Sequence, residues 1–311
     1  MRSASQAAGG VLFIVAALSP SAIAAELFAG NWFADSVNRY DTTTGALIST
    51  YTSPNLDGPA GVAVSDAGEL FVMGDFSRNL LSFDVATGVE NGVIDSFTFP
   101  INASGDLEIG PDGDLYAVRF NVNTALARVY RYDGQTGALL GAFTPFDVSI
   151  GGITFGADGD LYVSDRSNDQ VLQFDGQTGN LIGTFASGNL VQAGGLAFGP
   201  DGNLYVADAV ADAIVRFDGA SGAFLGTLDA GPQLDFVEDI AFDPNGLLYA
   251  SVTGNSTIRR YDPAAGAFVD VFATGVLANY IDIIPEPGTV SLLALGFAGL
   301  AAIRRTRRLP M

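Results

Sequence analysis

Short apolar runs, each broken by glycine or aspartate, fill most of the chain. Between residues 151 and 185 the runs are Gly152–Phe155, Leu161–Ser164, Val171–Phe174 and Asn180–Phe185, with Asp158-Gly159 and Asp175–Gly179 between them. Apolar stretches this short, separated by residues that accept positive φ, predict four β-strands joined by tight turns. The pattern then recurs. A Leu-aromatic pair stands at Leu27-Phe28, Leu70-Phe71, Leu115-Tyr116, Leu161-Tyr162, Leu204-Tyr205 and Leu248-Tyr249, in steps of 43, 45, 46, 43 and 44 residues. An aromatic-Asp pair follows each one, from Tyr40-Asp41 to Tyr261-Asp262. Four residues past each Asp comes a glycine: Gly45, Gly88, Gly137, Gly179, Gly222 and Gly266.

Four short antiparallel strands every 40–45 residues predict the blade of a propeller, so the expected fold is all-β: a six-bladed β-propeller of four-stranded antiparallel blades. Each blade has two faces to bury, and radial stacking buries both. The repeated aromatics are therefore expected in the core, as their usual burial implies. The first unit lacks an innermost strand, because the chain after Glu26 begins with a second strand at Leu27–Gly30. The missing strand is expected at Tyr280–Ile284, so the two ends close the ring and leave no open sheet edge there.

Composition narrows the chemistry. Glycine accounts for 39 of 311 residues and charged residues for only 15%, as suits strands and turns. The 34 acids face 14 basic residues, for a net charge of −20, which argues against binding nucleic acid. Cysteine and histidine are both absent, which removes disulfides, thiolate chemistry, imidazole metal ligands and Ser–His–Asp hydrolysis.

The ends read as processing signals. Residues 1–25 hold Arg2, an apolar core at Gly10–Leu18 and Ala22-Ile23-Ala24-Ala25 before Glu26, the parts of a secretory signal peptide. The other end, 285–311, has Pro285-Glu286-Pro287, an uncharged span from Thr289 to Ile303, and Arg304, Arg305, Arg307 and Arg308. As a helix that span is about 22 Å long, short of a ~30 Å hydrocarbon layer. The arginines should stay cytoplasmic and hold the main body outside the inner membrane, with a transient membrane anchor. Residues 26–284 are then the propeller. Between Glu26 and Glu286 lie all 34 acids and nine arginines, a net charge of −25.

The Pro-Glu-Pro triplet, apolar span and arginine cluster resemble the PEP-CTERM sorting signal. The resemblance implies processing by a membrane enzyme, an exosortase, and export to the cell envelope, cell surface or extracellular matrix of bacteria that make exopolysaccharide. Envelope proteins or exopolysaccharide are the partners it implies.

The repeats GGITFGADGDLYVSD at 151–165 and GGLAFGPDGNLYVAD at 194–208 resemble NHL-type repeats and gluconolactonase-like six-bladed propellers. Those enzymes place a glutamate and Asn/Asp ligands for a divalent metal around the start of the innermost strands. Here that position holds Ala60, Gly105, Gly151, Gly194, Glu238 and Asn279, so only Glu238 and Asn279 match. Asp106, Asp239, Asp165 and Asp208 are the neighbours that would complete an all-oxygen site suited to Ca²⁺ or Mg²⁺. Capping of loop backbone is the competing role for Glu238 and Asn279, and the weightier one. Glu108 and Asp282 occupy an inner-strand slot otherwise filled by Ala63, Thr154, Ala197 and Ala241, where a hydrogen bond to a neighbouring blade is expected. The Asp-x-Asp pairs Asp112/Asp114 and Asp158/Asp160 sit in a repeated turn, and turn chemistry accounts for them. The leading expectation is an exported, non-enzymatic binding or structural module. A metal-dependent lactonase or hydrolase built on Glu238 and Asn279 is the alternative.

Overall fold

The computed structural model describes residues 24–99, 101–102, 105–230 and 232–285. Within them, six antiparallel sheets form six blades around a central channel. The fourth blade is typical, with strands Ile150–Phe155, Leu161–Asp165, Gln170–Phe174 and Leu181–Ser187 in order from the channel outward. The innermost strands of the second, fifth and sixth blades are Pro59–Val64, Ala193–Phe198 and Val237–Phe242.

The third blade departs from the simple repeat. Its innermost strand is in two pieces, Ile101–Asn102 and Leu107–Ile109, both paired with Leu115–Asn121. Asp106 sits at the break, and its carboxylate accepts from the N–H of Leu107 and from Ile153 of the next blade.

The first blade closes the ring. Ile281–Pro285 lies innermost and pairs antiparallel with Ala25–Asn31, from Ala25 opposite Pro285 to Ala29 opposite Ile281. The entering strand starts two residues before and ends one residue after the expected Leu27–Gly30, and the closing strand lies one residue later than the expected Tyr280–Ile284. Ala25 is fully buried, and its carbonyl accepts both the N–H and the hydroxyl of Thr42.

The core is divided among the blade junctions. The described residues form six apolar clusters, each filling the space between two adjacent blades. The leucine of every Leu-aromatic pair is buried in them, which stabilises by roughly 1.5–3 kcal/mol per side chain. Where the partner is a tyrosine it packs edge-on against phenylalanine: Tyr162 meets Phe185 and Phe198 with centroids 4.8 and 4.9 Å away. Its hydroxyl donates to Asp158 at 2.8 Å, and Tyr116 does the same to Asp112 at 3.0 Å. The first Asp of each Asp-x-Asp pair thus serves its own hairpin turn, and the second accepts from the N–H of Gly134 or Gly176 in the next turn of the blade.

Candidate functional site

The connections from second to third strand and from one blade to the next lie on one face of the ring, called here the rim face. In each second-to-third turn the fourth residue adopts a left-handed conformation: Asp35, Arg78, Ala125, Asp169, Asp212 and Ser256, with φ between 48° and 55°. That conformation is what the turn demands of the backbone; the side chains before it are free to differ. They do differ, and the differences make the rim.

In the fourth blade the turn supplies Arg166, which reaches over the channel mouth. One guanidinium nitrogen lies 2.6 Å from Glu238 Oε2, on the sixth blade. Arg166 also hydrogen-bonds Tyr280. Burial opposes the charge on Arg166, but the facing Glu238 and Tyr280 outweigh it and raise its pKa. Tyr280, buried and on the strand entry of the first blade, donates its hydroxyl to the Gly151 carbonyl at 2.9 Å. Burial holds that phenol above its ordinary range. First and fourth blades are opposite one another in a ring of six. Tyr280 therefore braces the channel mouth from wall to wall, and Arg166 ties the fourth blade to the sixth beside it.

Of the positions the sequence singled out, Glu238 is at this mouth and half-buried, committed to Arg166. Asn279 precedes Tyr280 on the same rim, also half-buried. Asp165 and Asp208 are turned into their own loops. Asp165 accepts from the Ser167 N–H and the Asn168 and Gln170 amides, and Asp208 from the N–H groups of Val191, Gln192 and Ala211. Among the described residues no group of three or more acidic side chains is arranged to hold a metal ion. A cation at Glu238 and Asn279 would have to displace the Arg166 guanidinium. The residues the sequence reading passed over are Arg166 and Tyr280. The available signal was that Arg166 is a cation at a turn position filled elsewhere by Trp32, Asp75, Val122, Ala209 and Thr253.

The channel holds a cavity of about 200 Å³ bordered by Asp106, Glu108, Asp239 and Asp282. Each carboxylate joins two blades. Asp106 accepts from Ile153 N–H at 2.9 Å, Asp239 from Ile281 N–H at 2.9 Å and Asp282 from Val64 N–H at 2.7 Å, while Glu108 accepts from Phe155 N–H. The bonds from Glu108 and Asp282 are the inter-blade links expected of that slot. Gly195 makes room for one of them: a Cβ there would collide with the Asp239 carboxylate. Loss of bulk water raises all four pKa values, that of Asp282 to about 6, and their mutual repulsion adds to the effect for Asp106, Glu108 and Asp239.

The C-terminal sequence supplies the remaining part of the identity. Residues 284–308 match the PEP-CTERM protein-sorting motif. The chain carries a PEP-CTERM sorting signal. Pro285 of that signal is the last residue of the closing strand. Glu286, Pro287, Arg304, Arg305, Arg307 and Arg308 lie outside the described residues, as do residues 1–23 of the expected signal peptide. No described helix is long and apolar enough to cross a membrane. Within the PEP-CTERM propeller, residues 176–281 match a repeat of unknown function, DUF6923. No match was found among curated proteins.

Solved structures share the fold. A protein of unknown function from Bacteroides caccae is 18% identical with a TM-score of 0.66, covering 85% of this chain and 100% of its own. A nidogen/laminin complex contains a chain 15% identical with a TM-score of 0.68, covering 84% and 98%. The calcium-binding protein regucalcin from Agrobacterium tumefaciens is 18% identical with a TM-score of 0.58, covering 73% and 77%. At these identities the likeness is one of architecture.

Proposed function

We propose that this exported PEP-CTERM propeller is a non-catalytic binding or structural module of the cell envelope or its exopolysaccharide matrix, released to that site by an exosortase. The observation that carries the reading is the braced channel mouth. In a propeller enzyme the substrate meets its reactive groups where the inner strands converge. Here that point is occupied by the Arg166–Glu238 pair and the Tyr280–Gly151 bond. The four channel carboxyls are each bound to a neighbouring blade, which gives them a role in holding the ring. A sorting signal at one end and a rigid ring before it fit a protein that is displayed rather than one that turns over a metabolite.

The competing reading makes the rim a divalent-metal lactonase with Glu238 and Asn279 as ligands. The two are separated by incubating the purified full chain with aldonolactones in the presence of Ca²⁺, Mg²⁺ or Mn²⁺, while following the melting temperature. No hydrolysis above the buffer rate and no metal-dependent rise in melting temperature are expected, since a metal that binds only the folded ring must raise it. Hydrolysis that needs the metal and disappears in Glu238→Gln would overturn the proposal.

A further inference from the structure

The rim face carries a second feature, away from the channel. In the first blade the second-to-third turn begins Trp32-Phe33, and in the adjacent second blade it begins Asp75-Phe76. Phe33 is 79% exposed and Phe76 is 58% exposed, with Trp32 half-buried between them. The three rings form a row, Trp32 lying 5.3 Å from Phe33 and 5.0 Å from Phe76 between centroids. On the connection into the third blade Phe99 is also exposed, 61%, with the guanidinium of Arg78, from the same turn as Phe76, 5.6 Å from its ring.

The fold does not call for these rings. The position of Phe33 and Phe76 is Asn123, Ser167, Val210 and Gly254 in the other four blades. None of the three exposed phenylalanines fills a core cluster. The row is nonetheless held in place. The Trp32 backbone N–H donates to Leu277 O at 3.1 Å. The turn at Gly58 packs directly beneath, where a Cβ would come within 2.9 Å of Trp32 Nε1 and 2.8 Å of Phe76 Cδ2. The Gly58 N–H is fixed in turn by Asp35 Oδ1 at 2.9 Å, and Asp57 lies against Asp35. Rigid exposed aromatics flanked by carboxylates make a surface that stacks on apolar faces and accepts hydrogen bonds at its edge.

We propose that this aromatic row on the first and second blades is a docking platform for a neutral saccharide chain. A pyranose ring has one C–H face to lie on an aromatic ring and a fringe of hydroxyls to donate to Asp35 and Asp57. Successive sugars of a chain are spaced much like the rings of the row. Charge selects among occupants. The body between Glu26 and Glu286 has a net charge of −25, with two carboxylates at the row itself. Anionic glycans, phosphorylated lipids and a second copy of this chain are all repelled. A neutral glycan carries no such penalty. The inference rests on the propeller being a binding module and names its ligand class.

Trp32 is the only tryptophan in the chain, so its emission reports on the platform alone. The full chain is titrated with neutral cellohexaose, maltohexaose and xylohexaose and with anionic hexagalacturonate. A saturable change in emission is expected with at least one neutral oligosaccharide and none with hexagalacturonate. Phe33→Ala and Phe76→Ala should each weaken binding by about tenfold or more, as truncation of a central stacking residue does. Their melting temperatures should match the parent, because both side chains are exposed. Phe224→Ala, on an outer strand of the fifth blade, should bind like the parent. No response to any neutral sugar, an equal response to hexagalacturonate, or binding that survives both substitutions overturns the proposal. So does an emission change on simple dilution, which would assign the row to a second copy. The lactone assay is scored separately: turnover would defeat the non-catalytic reading and leave the platform standing, and absence of sugar binding would do the reverse.

Discussion

At the scale of single residues, the repeat is a set of backbone demands met by particular side chains. The aspartate of each aromatic-Asp pair caps the turn after it, as Asp175 does by accepting from the N–H and hydroxyl of Thr178. The glycine four residues on has φ between 63° and 72° and in five of the six turns donates back to the aspartate carbonyl, Gly179 to Asp175 at 2.8 Å; Gly266 donates to Pro263 instead. That explains why the landmark was legible: no L-residue with a Cβ takes this conformation without a penalty of about 1–2 kcal/mol. The neighbourhood then sets the size of the effect. A Cβ on Gly179 would also run into the Phe143 carbonyl, whereas Gly266, with φ 63°, has open space around it. Gly179→Ala is therefore expected to lower unfolding free energy by about 2 kcal/mol or more, and Gly266→Ala by about 1 kcal/mol. Urea denaturation of the two variants checks the order; equal losses would mean that backbone conformation alone decides.

At the scale of elements, the closing strand shows how the blades are linked. Ile281–Pro285 pairs with Ala25–Asn31 on one side and, through the Asp282 carboxylate, receives the Val64 N–H of the second blade on the other. Asp282→Ala removes the acceptor and leaves a buried N–H unpaired, at an expected loss of about 1–3 kcal/mol. Asp282→Asn keeps one acceptor oxygen but turns an NH2 toward the other of the two N–H groups that the carboxylate accepts, those of Val64 and Ile283, so its loss at pH 7 should be smaller than that of Asp282→Ala. If both substitutions destabilise equally in thermal melts, the charge matters rather than the bond. The sequence disclosed the blades, the strand count and this closure because they rest on local patterns repeated six times. It did not disclose the split inner strand at Asp106, nor the hydrogen bond that ties Asp106 to Ile153 47 residues away. Nor did it disclose the rim, where Arg166 and Glu238 are 72 residues apart and Tyr280 and Gly151 are 129 apart. Periodicity reports what every blade needs; a brace formed once, across the ring, leaves no periodic trace.

At the scale of the whole molecule, the channel carboxyls couple stability to pH. The Asp282 carboxyl has a folded pKa of about 6 against an ordinary 3.8, and Asp106, Glu108 and Asp239 are raised in the same direction. The folded ring thus binds more protons than the unfolded chain through this window. The contribution is present in full below the unfolded pKa and is lost as pH rises through about 6 and beyond. Protonation also relieves the self-repulsion of the acidic body. The turn-capping Asp84, Asp133, Asp175 and Asp218, whose pKa values are lowered by their threonine or serine partners, act oppositely and set the acid limit. The melting temperature is therefore expected to be higher near pH 5 than near pH 7.5, and Asp282→Asn should flatten part of that slope. A curve that rises from pH 5 to 7.5 would contradict the burial of these groups.

The pairing of Ala25 with Pro285 has a consequence for presentation. Ile281–Pro285 runs away from the rim face and Ala25–Asn31 runs toward it, so the chain enters and leaves the ring side by side on the opposite face. A body held at its C-terminal end in a membrane meets that membrane with this opposite face. Trp32, Phe33 and Phe76 stand on the rim face, on the far side of the ring from both ends of the described chain.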